Sequence, residues 1–172
     1  ALEEERKEHE EAGEDPSEVS DTDPHCWLSP LVAKQELARI ADGLSQAEPD
    51  GADVYHANAE TWAAECDKLM QEFTDGLSGL ANKTIVVSHE AFGYLCRDAG
   101  LTQLPIEGIE ADAEPDAQQM SKIVDFVREN NVRTIFSEEL VSPKVAQSIA
   151  DATGATVEEL NPLEGLSDEE LA

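Results

Sequence analysis

Apolar positions along the chain fall into two rhythms, and the change between them divides it. Ala33, Leu37, Ile40, Ala41 and Leu44 step by threes and fours, the spacing that puts side chains on one helix face. Ser29 stands before this run as an N-cap and Pro30 as its first helical residue. Pro49-Asp50-Gly51 marks a turn. A longer run follows, through Tyr55, Ala59, Trp62, Ala63, Cys66, Leu69, Met70, Phe73, Leu77 and Leu80. It predicts one amphipathic helix of roughly 25–30 residues, against a mean of about 11–12, reaching about 40 Å. That is too long for a crossover in a small sheet, and it reads as a spine joining two lobes.

After Asn82 the period shortens. Thr84-Ile85-Val86-Val87-Ser88 is a β-branched run typical of a buried strand. A short helix from Ala91 to Ala99 ends at Gly100. Leu104-Pro105-Ile106 is a weaker strand because of its proline. Glu114-Pro115-Asp116 opens a helix carrying Met120, Ile123, Val124 and Val127, closed by Asn130-Asn131. Arg133–Ser137 is the next strand. Ser142 and Pro143 then start a helix with Val145, Ile149 and Ala150, closed at Gly154, and a last strand runs from Ala155 to near Leu160. The alternation predicts an α/β fold, a parallel sheet lobe with flanking helices plus a long inter-lobe spine helix. The expected division is an acidic loop over 1–22, a segment over 23–50, the spine over 51–81 and a C-terminal α/β lobe over 82–172, incomplete at its end.

Charge narrows the function classes. The 172 residues hold 39 acids against 11 Lys and Arg, a formal charge of −28. That length suits one globular domain or one and a half. So negative a chain is a poor partner for nucleic acid, whose phosphates need Lys and Arg, and for an anionic membrane surface. Eleven of the acids crowd into residues 1–23 against Arg6 and Lys7. With few apolar side chains, that stretch cannot offset its ordering entropy and reads as a mobile loop or tail. The three cysteines, Cys26, Cys66 and Cys96, are too few for a disulfide scaffold and too widely spaced for a zinc knuckle. They read as small buried apolar groups. Neither Gly-x-Ser-x-Gly nor His-Glu-x-x-His occurs.

The candidate chemistry gathers at strand ends. In an open parallel sheet, ligands bind beyond the carboxyl ends of the strands. His89 follows the first strand, Glu138 and Glu139 the third, Asn161 and Glu164 the last, and His25 precedes the first helix. Two imidazoles and a carboxylate make a plausible zinc ligand set. The plainer reading is a hydrogen-bonded histidine beside solvated acids. His56 reads as a surface or packing residue, and His9 as a transient metal contact at best. In a chain this acidic, adjacent Glu138 and Glu139 do not mark a glycosidase. Ser88, His89 and Glu90 are consecutive and point apart, so they form no catalytic triad.

Four segments resemble the zinc branch of the metal-binding solute-binding proteins of ABC importers. They are Asp23-Pro24-His25-Cys26-Trp27-Leu28-Ser29-Pro30, Ser88-His89-Glu90-Ala91-Phe92-Gly93-Tyr94-Leu95, Phe136-Ser137-Glu138-Glu139-Leu140-Val141-Ser142-Pro143-Lys144 and Leu160-Asn161-Pro162-Leu163-Glu164-Gly165-Leu166. They occur in the family's order. The resemblance implies two α/β lobes joined by a long helix, with a metal in the cleft and an acidic loop ahead of the Asp-Pro-His segment. It implies His25, His89 and Glu164 as metal ligands, with Glu139 and Asn161 as supporting or alternative groups. Manganese-type relatives carry Glu where His89 stands, which favours Zn2+. The family's first lobe, which donates a further His, has no counterpart in this chain. The implied work is zinc capture, not catalysis. The implied partner is an ABC transporter permease, the place extracytoplasmic (periplasm or a lipid anchor at the cell surface), and the protein monomeric. The alternatives are a zinc-dependent hydrolase, a binder of manganese or another divalent metal, and an acidic adaptor with idle histidines.

If the acidic stretch concentrates cations near the site, replacing its acids with Asn and Gln slows zinc association at low salt in stopped flow. An unchanged on-rate refutes that role.

Overall fold

The computed structural model describes residues 22–108, 115–138 and 142–165. The expected acidic loop, apart from Thr22, lies outside the described residues, as do Glu139 and the last seven positions. The described residues form two compact units.

The helical unit comprises His25–Lys83 and Tyr94–Leu101. Helix α1 spans Pro30–Ala47 and α2 spans Ala52–Leu77, 26 residues, linked by a 3-10 turn at Pro49–Gly51. As predicted, Pro30 opens α1 and the Ser29 hydroxyl accepts the Val32 N–H at 3.3 Å. The two helices pack along each other. Ala41 and Met70 are buried, and Leu37, Tyr55, Ala59, Ala63, Cys66 and Phe73 are half-buried. Trp62 and Leu69 depart from the predicted single face, being 62% and 46% exposed. In this unit α2 has one long helical neighbour, which covers a narrow stripe and leaves the flanking positions bare. Leu80 falls beyond the end of α2 and is also exposed. Helix α3, Gly93–Ala99, starts two residues later than expected and ends at Gly100, whose φ of +69° suits its role as a C′ residue.

The second unit carries the sheet. Strands β1 (Thr84–Val87), β2 (Thr102–Pro105), β3 (Thr134–Ser137) and β4 (Thr156–Glu159) lie in the order β2-β1-β3-β4, all parallel. Helix α4 spans Ala117–Glu129 and α5 spans Lys144–Thr153. The chain enters at β1, steps outward to β2, returns past β1 to β3, and continues to β4. Its direction therefore reverses between β1 and β3. β2 pairs from Thr102 rather than Leu104, because the ladder with β1 sets its limits, and Pro105 is tolerated on this edge.

One core unites this unit: Val86, Ile106, Ile123, Val127, Ile135, Ala146, Ile149 and Ala150, flanked by Leu104, Met120, Val124 and Val157. Asp116 opens α4 with a capping box, its carboxylate accepting the Gln118 and Gln119 N–H groups at 2.6 and 2.7 Å. Ser142 does not cap α5. Pro143 takes the capping position and offers no side-chain hydrogen bond. Gly154, at φ +81°, ends α5 as predicted.

Ile149 is wholly buried. Ile149→Ala lowers unfolding free energy by about 2–5 kcal/mol, read as a fall in the urea midpoint with an unchanged slope.

Candidate metal centre

The site grows out of the pairing of β1 with β3. Val86 lies opposite Ile135 and Val87 opposite Phe136. Carried past the strand ends, that register sets His89 against Glu138, which are 49 residues apart like the paired residues (135 − 86 = 49). The backbone keeps the strand tips in place. The Glu107 N–H donates to Ser88 O at 2.8 Å, the Leu160 N–H to Ser137 O at 2.8 Å, and the Ser88 hydroxyl to Phe136 O at 3.3 Å. The link from β1 into α3 is tied too: the Ala91 N–H reaches His89 O, and the Phe92 N–H reaches the Gln103 side chain, both at 2.9 Å.

His89 and Glu138 are both buried, and His89 Nδ1 stands 2.5 Å from Glu138 Oε1. On its other side, His89 Nε2 is 3.3 Å from Glu164 Oε1. Glu164 arrives there by a tight turn after β4. The Asn161 side-chain oxygen accepts the Leu163 N–H at 2.8 Å, and Leu163 adopts φ +59°, left-handed backbone that a branched side chain seldom takes. The Glu164 side chain remains 36% exposed.

Burial of the His89 ring disfavours its charged form. The hydrogen bond and charge of Glu138, with the charge of Glu164, outweigh that and hold the pKa above the ordinary histidine value. The ring is thus set to carry a positive charge, or to face one. Two ligands 2.0–2.2 Å from a tetrahedral zinc lie about 3.3–3.6 Å apart. The Nε2–Oε1 separation falls in that range, so His89 and Glu164 are spaced as two ligands of one zinc would be. Were a metal to sit on Nε2, Glu138 would accept the Nδ1 proton and leave the Nε2 lone pair for it.

The structure thus brings together His89 and Glu164 and adds Glu138 to them. Sequence reasoning noted Glu138 but favoured its neighbour, Glu139, which lies outside the described residues. Aligning Ser88 with Ser137, the serine closing each strand run, would have pointed to Glu138. Asn161 shapes the turn that presents Glu164. His25 lies in the helical unit, 4% exposed, just before the 3-10 turn Cys26–Leu28, its ring 5.4 Å from that of Trp27. His56 is a surface residue, as expected, with Nε2 3.2 Å from the Ser45 hydroxyl. The cysteines form no disulfide. Cys96 is buried, which pushes its thiol up to about 11. Cys26 and Cys66 are half-buried, less than expected, and the Cys26 thiol donates to Glu36 at 3.2 Å.

Comparison with known proteins gives a consistent result. The family profile described as ZnuA, zinc-uptake complex component A, periplasmic, matches residues 1–171. The chain is 38% identical over 148 residues to the high-affinity zinc uptake system protein ZnuA of Bacillus subtilis, covering 86% of this chain and 46% of that protein. Among solved structures it resembles the laminin-binding protein Lmb of Streptococcus agalactiae, described as having adhesin and metal-transporting activity. That match has a TM-score of 0.81 and 42% identity, and covers 85% of this chain and 57% of the other. It also resembles a zinc-bound ZnuA deletion mutant, with a TM-score of 0.78, 38% identity, and coverage of 85% and 55%. The chain therefore spans about half the length of the relatives it matches.

The raised His89 pKa has a defined sign. The charged ring's pairing with its carboxylates stabilises the metal-free fold fully below about pH 6.5, the ordinary histidine value, and is lost as pH rises through the raised folded value. Glu138→Gln moves that loss to lower pH, seen as a lower His89 pKa in NMR titration of the zinc-free protein. An unmoved pKa contradicts that role for Glu138.

Proposed function

Because the chain belongs to the ZnuA family of periplasmic zinc-uptake components, we propose that it captures zinc outside the cytoplasm and delivers it to the permease of an ABC importer. The observation that carries this reading is the His89–Glu164 pair, held at zinc-ligand spacing and backed by Glu138. Zinc is cargo here, and the work of the site is to bind and release it. His25 is a further ligand in this reading, on the strength of its Asp-Pro-His segment. The rest of the coordination comes from a first lobe, to which α2 is the connecting spine.

Each of the site's own residues has a part. His89 supplies a neutral imidazole nitrogen, and Glu164 a carboxylate oxygen that offsets part of the metal's charge. Glu138 takes the Nδ1 proton, which fixes the tautomer and raises the basicity of Nε2. Asn161 and Leu163 set the turn that aims Glu164. Zinc must displace the proton from Nε2, so binding releases a proton and weakens as the pH falls through the histidine range. Nitrogen donors favour zinc over manganese, which suits oxygen-rich shells. The transport names of the relatives support capture over hydrolysis, and the periplasmic description of the family supports a place outside the cytoplasm.

Calorimetric zinc titration tests this, beside His89→Ala and with manganese as competitor. One zinc per chain, lost in the variant and indifferent to manganese, is expected. Weak, multiple binding unchanged by the substitution would assign the metal to the surface acids alone.

A further inference from the structure

We propose that Asp98 is a positioning residue for zinc capture, its carboxylate gripping the Ser29 hydroxyl and so holding the turn that presents His25. This rests on the reading of His25 as a ligand.

The argument lies within the helical unit. His25 is followed at once by the 3-10 turn Cys26–Leu28 and then by Ser29, the cap of α1. The turn is short and stiff: the Leu28 N–H donates to His25 O at 3.4 Å, and the Ser29 N–H to Cys26 O at 3.2 Å. Whatever fixes Ser29 therefore fixes His25, four residues earlier. Ser29 is wholly buried, and its hydroxyl both accepts and donates. It accepts the Val32 N–H and donates to Asp98 Oδ2 at 2.5 Å, across 69 residues of sequence. The acceptor is itself braced. Arg97 Nε donates to Asp98 Oδ1 at 2.7 Å and Arg97 Nη2 to Oδ2 at 2.9 Å, while the guanidinium lies over the Tyr94 ring at 5.2 Å. The Asp98 side chain is only 11% exposed, so the contact is shielded from competing water. The hydrogen bonds from Arg97 hold the Asp98 carboxyl below the usual carboxylate range, which keeps it an acceptor. A cap serine needs only the Val32 contact, so the bond to Asp98 does something more. It ties the start of α1, and with it the His25 turn, to α3.

The test is zinc affinity of the full chain, measured by competition with a chromophoric chelator. Asp98→Ala is expected to weaken zinc binding by about tenfold, the lower end for groups that orient metal ligands. Asp98→Asn, which keeps an acceptor oxygen, should restore most of it. Ser29→Gly removes the hydroxyl while retaining a competent cap, and should match Asp98→Ala; it carries the test if the alanine variant fails to fold. In a His25→Ala background, Asp98→Ala should have no further effect, which loss of stability alone would not produce. A full effect in that background, or none in the wild type, overturns the inference. If His25→Ala is itself silent, the ligand reading of His25 has failed and takes this inference with it.

Discussion

The parallel pairing of β1 with β3 is the constraint on which the site depends. It is where the chain reverses its direction of travel across the sheet, the kind of point at which ligands gather in open parallel sheets. One register fixes which residues meet there. A slip of a single position would turn every side chain on β3 to the opposite face, burying Phe136 in place of Ile135 and carrying Glu138 away from His89. The core made by Ile135, Val86 and Ile149 therefore does two things. It stabilises the lobe, and it enforces the alignment that puts an imidazole against a carboxylate.

The charge pattern around His89 explains why such a site attracts a cation. A neutral imidazole between Glu138 and Glu164 leaves two negative groups in a space closed to bulk water on the Glu138 side. A proton relieves that, and so does a divalent ion on Nε2. Proton and metal would compete for one nitrogen, and the partial exposure of Glu164 would leave a metal a route in and out. Sites that only retain a metal close over it; this one keeps its carboxylate at the surface.

Much of this was legible in the sequence, for identifiable reasons. Helix α2 and the strands Thr84–Val87 and Thr134–Ser137 announce themselves by period and by β-branched residues. Gly100 and Gly154 mark helix ends because their backbone turns left-handed. His89 and Glu164 stand at strand ends, where ligands gather in a parallel sheet, and the resemblance of their segments to a metal-binding family singled them out from the other acids there. Less was legible where the third dimension decides. Trp62 and Leu69 fit a helical stripe but lie beside the one that α1 covers. Ser142 looked like a cap, yet Pro143 occupies that position. Glu138 and Glu139 are equivalent by composition, and only the cross-strand register tells them apart. The Asp98–Ser29 bond joins segments 69 residues apart, and no local pattern announces it.

The two outer strands of the sheet carry a further consequence. An open sheet offers unpaired backbone groups along each margin, and a foreign strand can add there and begin a fibril. On β2 the last residue is Pro105, which has no N–H to donate to a newcomer. On β4, Glu158 and Glu159 close the strand, and both are exposed. A strand approaching β2 meets a missing donor, and one approaching β4 meets two exposed acidic side chains. Among the described residues, both margins of the sheet are thereby blunted against recruitment, a safeguard independent of the candidate metal centre.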